Sequence, residues 1–192
     1  MNVIDAIRWR RSVRKFAARP LEPAVIQEIL EAGRLAPSSS NQQAWQFVAV
    51  DDPNLIRAVP DQVPLATSRV ISFCRSAALI VVGCYTQNLT HWIGRVFGHE
   101  NHVIDVSIAM TQMTLAATAL GVGSCWIGWF SEKKMKKMLA IPNRYRIAAL
   151  LAFGYPADAS TDEGIGGIKP RPRKAMSEIA SRNRFGTPFL SV

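Results

Sequence analysis

Apolar Val3, Ile4 and Ile7 recur at helical spacing and then give way to a basic run, so the chain opens on a short helix whose end presents cations. Pro23 suits a first helical position, and Val25, Ile26, Ile29, Leu30 and Leu35 carry a second helix to a stop before Pro37. Trp45 to Val50 and Leu79 to Cys84 are short β-rich runs, read as buried strands, with a poorly patterned segment between them. From Val103 to Leu120 apolar residues occupy nearly every face, as expected of a helix enclosed on all sides by its own domain or by a partner subunit; Gly121 and Gly123 end it. Ser131 can cap a short basic helix through Leu139. Ile147 to Phe153 reads as a third strand, closed by Gly154-Tyr155-Pro156, and Ala157 to Pro172 reads as a surface loop. Helices and strands are mixed with no repeat or linker between them, which predicts one α+β domain over residues 1–192.

Composition adds little to that pattern except through charge. Of 192 residues 48% are apolar, enough to bury a sizeable core and to exclude wholesale disorder. The longest apolar stretch contains Asp105, Ser107, Thr111, Gln112, Thr114 and Thr118, too polar for an ordinary membrane span. Cys74, Cys84 and Cys125 are odd in number and far apart, which argues against a disulfide framework. No apolar signal region precedes Asp5 and Arg8, so a reducing, cytoplasmic setting is expected. The net charge of +9 implies attraction to anions without choosing among nucleotide cofactor, nucleic acid and acidic lipid.

Where the cations fall matters more than their sum. They gather in the run from Arg8 to Arg19, in Lys133 to Lys137, and in Lys169 to Lys174. Arg10, Arg11 and Ser12 place two guanidinium forks and a hydroxyl in one turn, the donor set a phosphate dianion needs. The bland alternative is a solvated helix end, and the Ser38-Ser39-Ser40 tract is by itself an ordinary turn. His99 and His102 are three apart, unlike the zinc-protease spacing of four, so a metal site is not expected. His91, Trp92, Phe97 and His99 could line a substrate pocket or simply pack as a loop. Cys125 reads as an inert buried thiol, residues 164–167 as a flexible loop, and Lys133 to Lys137 as a solvent-facing cluster. No Ser-His-Asp or Cys-His constellation is present.

Four islands in order carry a resemblance over most of the chain. They are Arg10-Arg11-Ser12-Val13-Arg14, the loop from Ala36 to Trp45, the stretch from Ala119 to Gly128, and Gly154-Tyr155-Pro156 followed by Arg171, Arg173 and Lys174. In these the chain resembles the nitroreductase family of FMN-dependent oxidoreductases. The resemblance implies a nitroreductase-like α+β fold, with a central mixed β-sheet flanked by helices, in an intertwined homodimer holding FMN at the subunit interface.

Arg10, Arg11 and Ser12 would then hold the phosphate and ribityl chain with Arg173, Arg171 and Lys174, while Pro37, Ser38, Ser39 and Asn41 from the partner would lie against the ring. Ile127 and Gly128 would offer backbone groups to the ring. Arg14 would sit near its pyrimidine end, where a fixed cation stabilises the charge gained on reduction. The implied reaction is a two-stage exchange from NAD(P)H through FMN to a nitroaromatic, quinone or similar small electrophile, with no nucleic-acid or membrane partner. Reductive dehalogenation, flavin fragmentation and, in a different class, a basic nucleic-acid or anionic-surface binder are the alternatives. Ala44 and Ala175 stand where the family commonly has proline, and from Leu55 to Arg75 only Gln62 offers itself as a further flavin contact.

Overall fold

The computed structural model describes residues 1–63, 65–86, 101–157 and 171–187. Its centre is a four-stranded sheet of β1 (Trp45–Val50), β2 (Leu79–Thr86), β3 (Gly123–Ile127) and β4 (Tyr145–Gly154), in the order β1-β2-β4-β3. All three strand pairings are antiparallel. The expected mixed sheet is therefore corrected for these strands: the parallel element is one isolated bridge between Ser12 and Ser124.

Side-chain alternation along the central strands builds two cores. Ile80, Val82, Cys84, Ile147, Leu150 and Ala152 point to one face, where they meet Val13, Phe16, Ile56 and Met135. Leu79, Val81, Tyr85, Ala149, Leu151 and Phe153 point to the other, where they meet Ile29, Val106, Met110 and Met113. Each fully buried aliphatic side chain contributes roughly 1.5–3 kcal/mol relative to exposure. β2 is buried along nearly its whole length because both faces are covered. The expectation of burial fails for β1, an edge strand in which only Val50 is buried.

The helices form the outer layers. α1 (Val3–Trp9) and α2 (Pro23–Arg34) begin as their sequences indicate, with the Asn2 side chain accepting from the Asp5 amide and Pro23 in the first turn of α2. The poorly patterned stretch after β1 resolves into α3 (Pro53–Ala58), α4 (Leu65–Ile71) and the 3-10 turns Val59–Gln62 and Ser72–Ser76. α5 (Asn101–Ala119) packs on α2 and across the sheet. Gly121, at φ 75, gives α5 the left-handed exit that a side chain disfavours. Gly123 instead opens β3, a strand the sequence pattern did not reveal. α6 (Glu132–Met138) is capped as expected, the Ser131 Oγ accepting from the Lys134 amide, and α7 (Met176–Ile179) follows the third basic cluster.

Among the described residues α5 is not enclosed on every side. Ile104 is 56% exposed and Ile108 36%, and they border a shallow apolar cleft with Val103, Ser107 and Thr111. No described helix is long and apolar enough to cross a membrane.

Candidate functional site

The basic run is held in place by its two apolar residues. Val13 and Phe16 are buried, while Ser12, Arg14 and Lys15 between and beside them are exposed. The Val13 amide donates to the Ser124 carbonyl at 2.9 Å, and the Ala17 amide to the Tyr155 carbonyl at 2.8 Å, so the run threads beside the start of β3 and the end of β4. Two glycines permit this approach. A Cβ at Gly123 would lie 2.7 Å from Val13 Cγ2, and one at Gly154 would lie 2.9 Å from Phe16 Cδ1.

The two ends of the sequence meet at this run. The Arg171 guanidinium donates to the Arg8 carbonyl at 3.1 Å. Its pKa is lowered from the ordinary value, first by partial burial and then by the charges of Arg173, Arg10 and Arg11. Among the described residues the charged groups acting on it are cations, so Arg10, Arg11, Arg171 and Arg173 form a field that favours an anion. Arg173 is exposed and donates to the Pro172 carbonyl; Lys174 is exposed beside it.

The run is extended rather than helical beyond Trp9, so Arg10, Arg11 and Ser12 do not share one turn. Further along it, Arg14 borders a small recess with Ile71, Phe73, Trp126, Ile127, Gly128 and Trp129. The Arg14 guanidinium sits 5.9 Å from the Phe73 ring centroid, within cation–π range. Trp129 is 71% exposed at the rim, and a Cβ at Gly128 would meet no atom within 4 Å, so open space faces that backbone. The Cys125 thiol pKa is pushed up by burial, against the opposing charge of Arg14 and a hydrogen bond with Ser12. A raised thiol is a poor nucleophile, in keeping with an inert role.

The Pro37–Asn41 turn contributes nothing to the lining of that recess. It lies instead against the start of α5, where the Ser39 amide donates to both Asp105 carboxylate oxygens at 3.1 Å and the Asn101 Nδ2 donates to Ser39 Oγ at 3.3 Å. Ser40 (φ 51), Asn41 (φ 53) and Gln43 (φ 48) are all left-handed, a conformation costing about 1–2 kcal/mol for an ordinary L-residue. Local hydrogen bonds offset part of that cost: the Gln43 amide donates to Ser38 Oγ at 2.9 Å and Gln43 Nε2 to Asn41 Oδ1 at 3.1 Å. Pro37 and Asn41 are exposed, Ser38 and Ser39 half-buried.

Sequence reasoning missed Asp105 as the support of this turn, and Phe73, Trp126 and Trp129 as walls of the recess. The available signal for Asp105 was an acid inside an otherwise apolar helix. Gln62 turns inward, its Nε2 donating to the Ala58 carbonyl at 3.2 Å. His91, Trp92, Phe97, His99 and residues 164–167 lie outside the described residues. His102 is buried and packs on the Tyr85 ring at 4.6 Å. Among the described residues no three His, Cys, Asp or Glu side chains gather as a metal site.

Fold and site together define an α+β protein with a cluster of guanidinium groups beside an aromatic, glycine-edged recess, a pairing that suits a ligand with a phosphorylated tail and a flat ring. A profile of the Nitroreductase family matches residues 7–155. The chain is 29% identical over 159 residues to a protein of Archaeoglobus fulgidus named NADH dehydrogenase/NAD(P)H nitroreductase, covering 81% of this chain and 86% of the relative. It is also 29% identical over 174 residues to a 5,6-dimethylbenzimidazole synthase of Rhodospirillum rubrum, covering 81% of this chain and 82% of that one. A crystal structure of a nitroreductase family protein from Clostridium novyi superposes with a TM-score of 0.76 at 28% identity, covering 98% of this chain and 97% of the other. The chain belongs to the nitroreductase family and is an oxidoreductase of its α+β fold.

Proposed function

We propose that this oxidoreductase binds FMN and passes reducing equivalents from NADH or NADPH to a small electrophilic acceptor such as a nitroaromatic or a quinone. The observation that carries the reading is Arg171 beside Arg8, Arg10 and Arg11, which brings cations from both ends of the sequence to one place. A phosphate monoester relieves their mutual repulsion, with Ser12 as an added hydroxyl donor. Arg173 and Lys174, exposed nearby, complete the anchor. When bound, FMN would supply the two-electron hydride chemistry between donor and acceptor.

The chain's own part is positioning and charge. Arg14 presents a fixed cation at the mouth of the recess, and Ile127 and Gly128 line it, Gly128 presenting backbone with no side chain of its own between. The recess is about 150 Å³, below the usual range of ligand pockets at roughly 300–1,000 Å³, so one chain walls only part of a ring. A second copy docked on the exposed Ile104 and Ile108 face of α5 would bring its own Pro37–Asn41 turn to the remaining side. The functional unit in this reading is a homodimer with two shared sites.

A visible absorption spectrum of the purified protein tests the reading. Flavin bands that bleach with NADH or NADPH under anaerobic conditions are expected; a protein that stays colourless after incubation with FMN defeats it. The likeness to a 5,6-dimethylbenzimidazole synthase, whose named product carries a dimethylbenzene ring as the flavin does, supports a second reading, in which the flavin itself is fragmented. Chromatography after exposing the reduced protein to oxygen separates the two, since simple reoxidation returns intact FMN.

A further inference from the structure

We infer that Asp105 is a positioning residue that holds the Ser38–Asn41 turn in its cofactor-facing shape. The inference rests on the FMN reading and extends it to a residue outside the binding set. Ser40, Asn41 and Gln43 all have positive φ within four residues, and such a turn relaxes unless its surroundings fix it. The fixing contact from outside the turn is the Asp105 carboxylate, only 5% exposed on the inner side of α5, with both oxygens 3.1 Å from the Ser39 amide. A buried carboxylate is costly unless it accepts hydrogen bonds, and charge-assisted bonds to backbone amides are among the strongest available. Asn101, one turn earlier on α5, adds a second tether by donating to Ser39 Oγ at 3.3 Å.

The placement has a further consequence. Asp105 and the exposed Ile104 are neighbours on α5, about 100° apart around its axis, so one is buried against the turn while the other reaches solvent. The same stretch of helix thus serves the turn and the surface proposed for the second copy. Asn at position 105 keeps one acceptor oxygen and loses the charge, so Asp105→Asn falls between wild type and Asp105→Ala.

The test compares wild type, Asp105→Asn, Asp105→Ala and Met113→Ala, a destabilised control on the buried core face of α5 itself. Hydrogen exchange of residues 36–45, the dissociation constant for FMN and the visible circular dichroism of bound FMN are read at low temperature, where all four remain folded. For Asp105→Ala the expected result is faster exchange in 36–45, FMN binding weakened about ten- to a hundredfold, and an altered dichroism band. Asp105→Asn is expected to show smaller changes of the same kind. Met113→Ala is expected to lower the melting temperature while leaving FMN affinity and dichroism as in wild type.

Exchange in 36–45 that is unchanged by Asp105→Ala overturns the inference. So does faster exchange with wild-type affinity and dichroism, or a Met113→Ala protein that loses FMN to the same extent. If Asp105→Ala does not fold, Asp105→Asn decides alone by the same three readouts. A wild type that takes up no FMN defeats the cofactor reading and the role of Asp105 toward it, while the exchange data still report whether the carboxylate holds the turn.

Discussion

Two side-chain clusters carry predictions at the scale of single residues. Arg14, stacked near Phe73 at the recess, is expected to stabilise charge on the reduced cofactor. Arg14→Ala should lower the FMN reduction potential by roughly 30–60 mV, about 1.4–3 kcal/mol for a two-electron couple. A still-loaded variant with an unchanged potential removes Arg14 from that role. At the start of α2 the Tyr155 hydroxyl donates to Glu22 Oε2 at 2.6 Å, and Arg19 donates to Oε1 at 2.6 Å. The Tyr155 bond first, then the Arg19 bond, lowers the Glu22 carboxyl from 4.5 to about 2.

A carboxyl whose folded value is depressed adds stability above its unfolded value and loses it as pH falls through its folded value. The Glu22 contribution is therefore present above pH 4.5 and disappears toward pH 2. The group is exposed and screened, so the effect is small. Melting curves over that window should fall less steeply for Tyr155→Phe than for wild type; identical slopes would show that the Tyr155 bond is not the cause.

At the scale of elements, the close passage of the basic run along β3 and β4 makes a sharper forecast. Gly123→Ala forces a methyl to within 2.7 Å of Val13, whose branched side chain is itself buried and cannot swing aside. The run must shift, at a cost of about 1–3 kcal/mol, and FMN affinity should fall with the melting temperature because Ser12 and Arg14 move with Val13. A loss of stability with unaltered FMN affinity would show that the run does not serve the cofactor. α1, α2, α6 and the central strands were legible because their apolar period or their capping residues survive in a single stretch of sequence. β3 was not, since Gly123-Ser124-Cys125 lacks β-branched residues and becomes a strand only by pairing with β4. The segment after β1 was obscure for a similar reason, its short helices being too brief to show a period.

At the scale of the molecule, the described residues leave an apolar surface on α5 together with α1, where Val3, Ile4 and Ile7 are also exposed. Surfaces of this kind mark association sites. A charge placed there, as in Ile108→Glu, should shift the protein from dimer to monomer in analytical ultracentrifugation and weaken FMN binding in parallel. A wild type that is monomeric and still binds FMN would separate the site from the dimer. A dimer unaffected by Ile108→Glu would place the interface elsewhere.

Local order along the chain decided the kinds of elements, the basic clusters and the motif order that marks the nitroreductase family. These depend on neighbouring residues, whose periodicity and side-chain chemistry are fixed before folding. The resemblance implied that Arg171 joins Arg10 and Arg11, and the tertiary structure alone decided its bond to the Arg8 carbonyl, that β3 exists as the sheet's edge, and that Asp105 supports Ser39 from 66 residues away. Such contacts follow from how the sheet and α5 close the chain on itself, and no short window of sequence contains both partners.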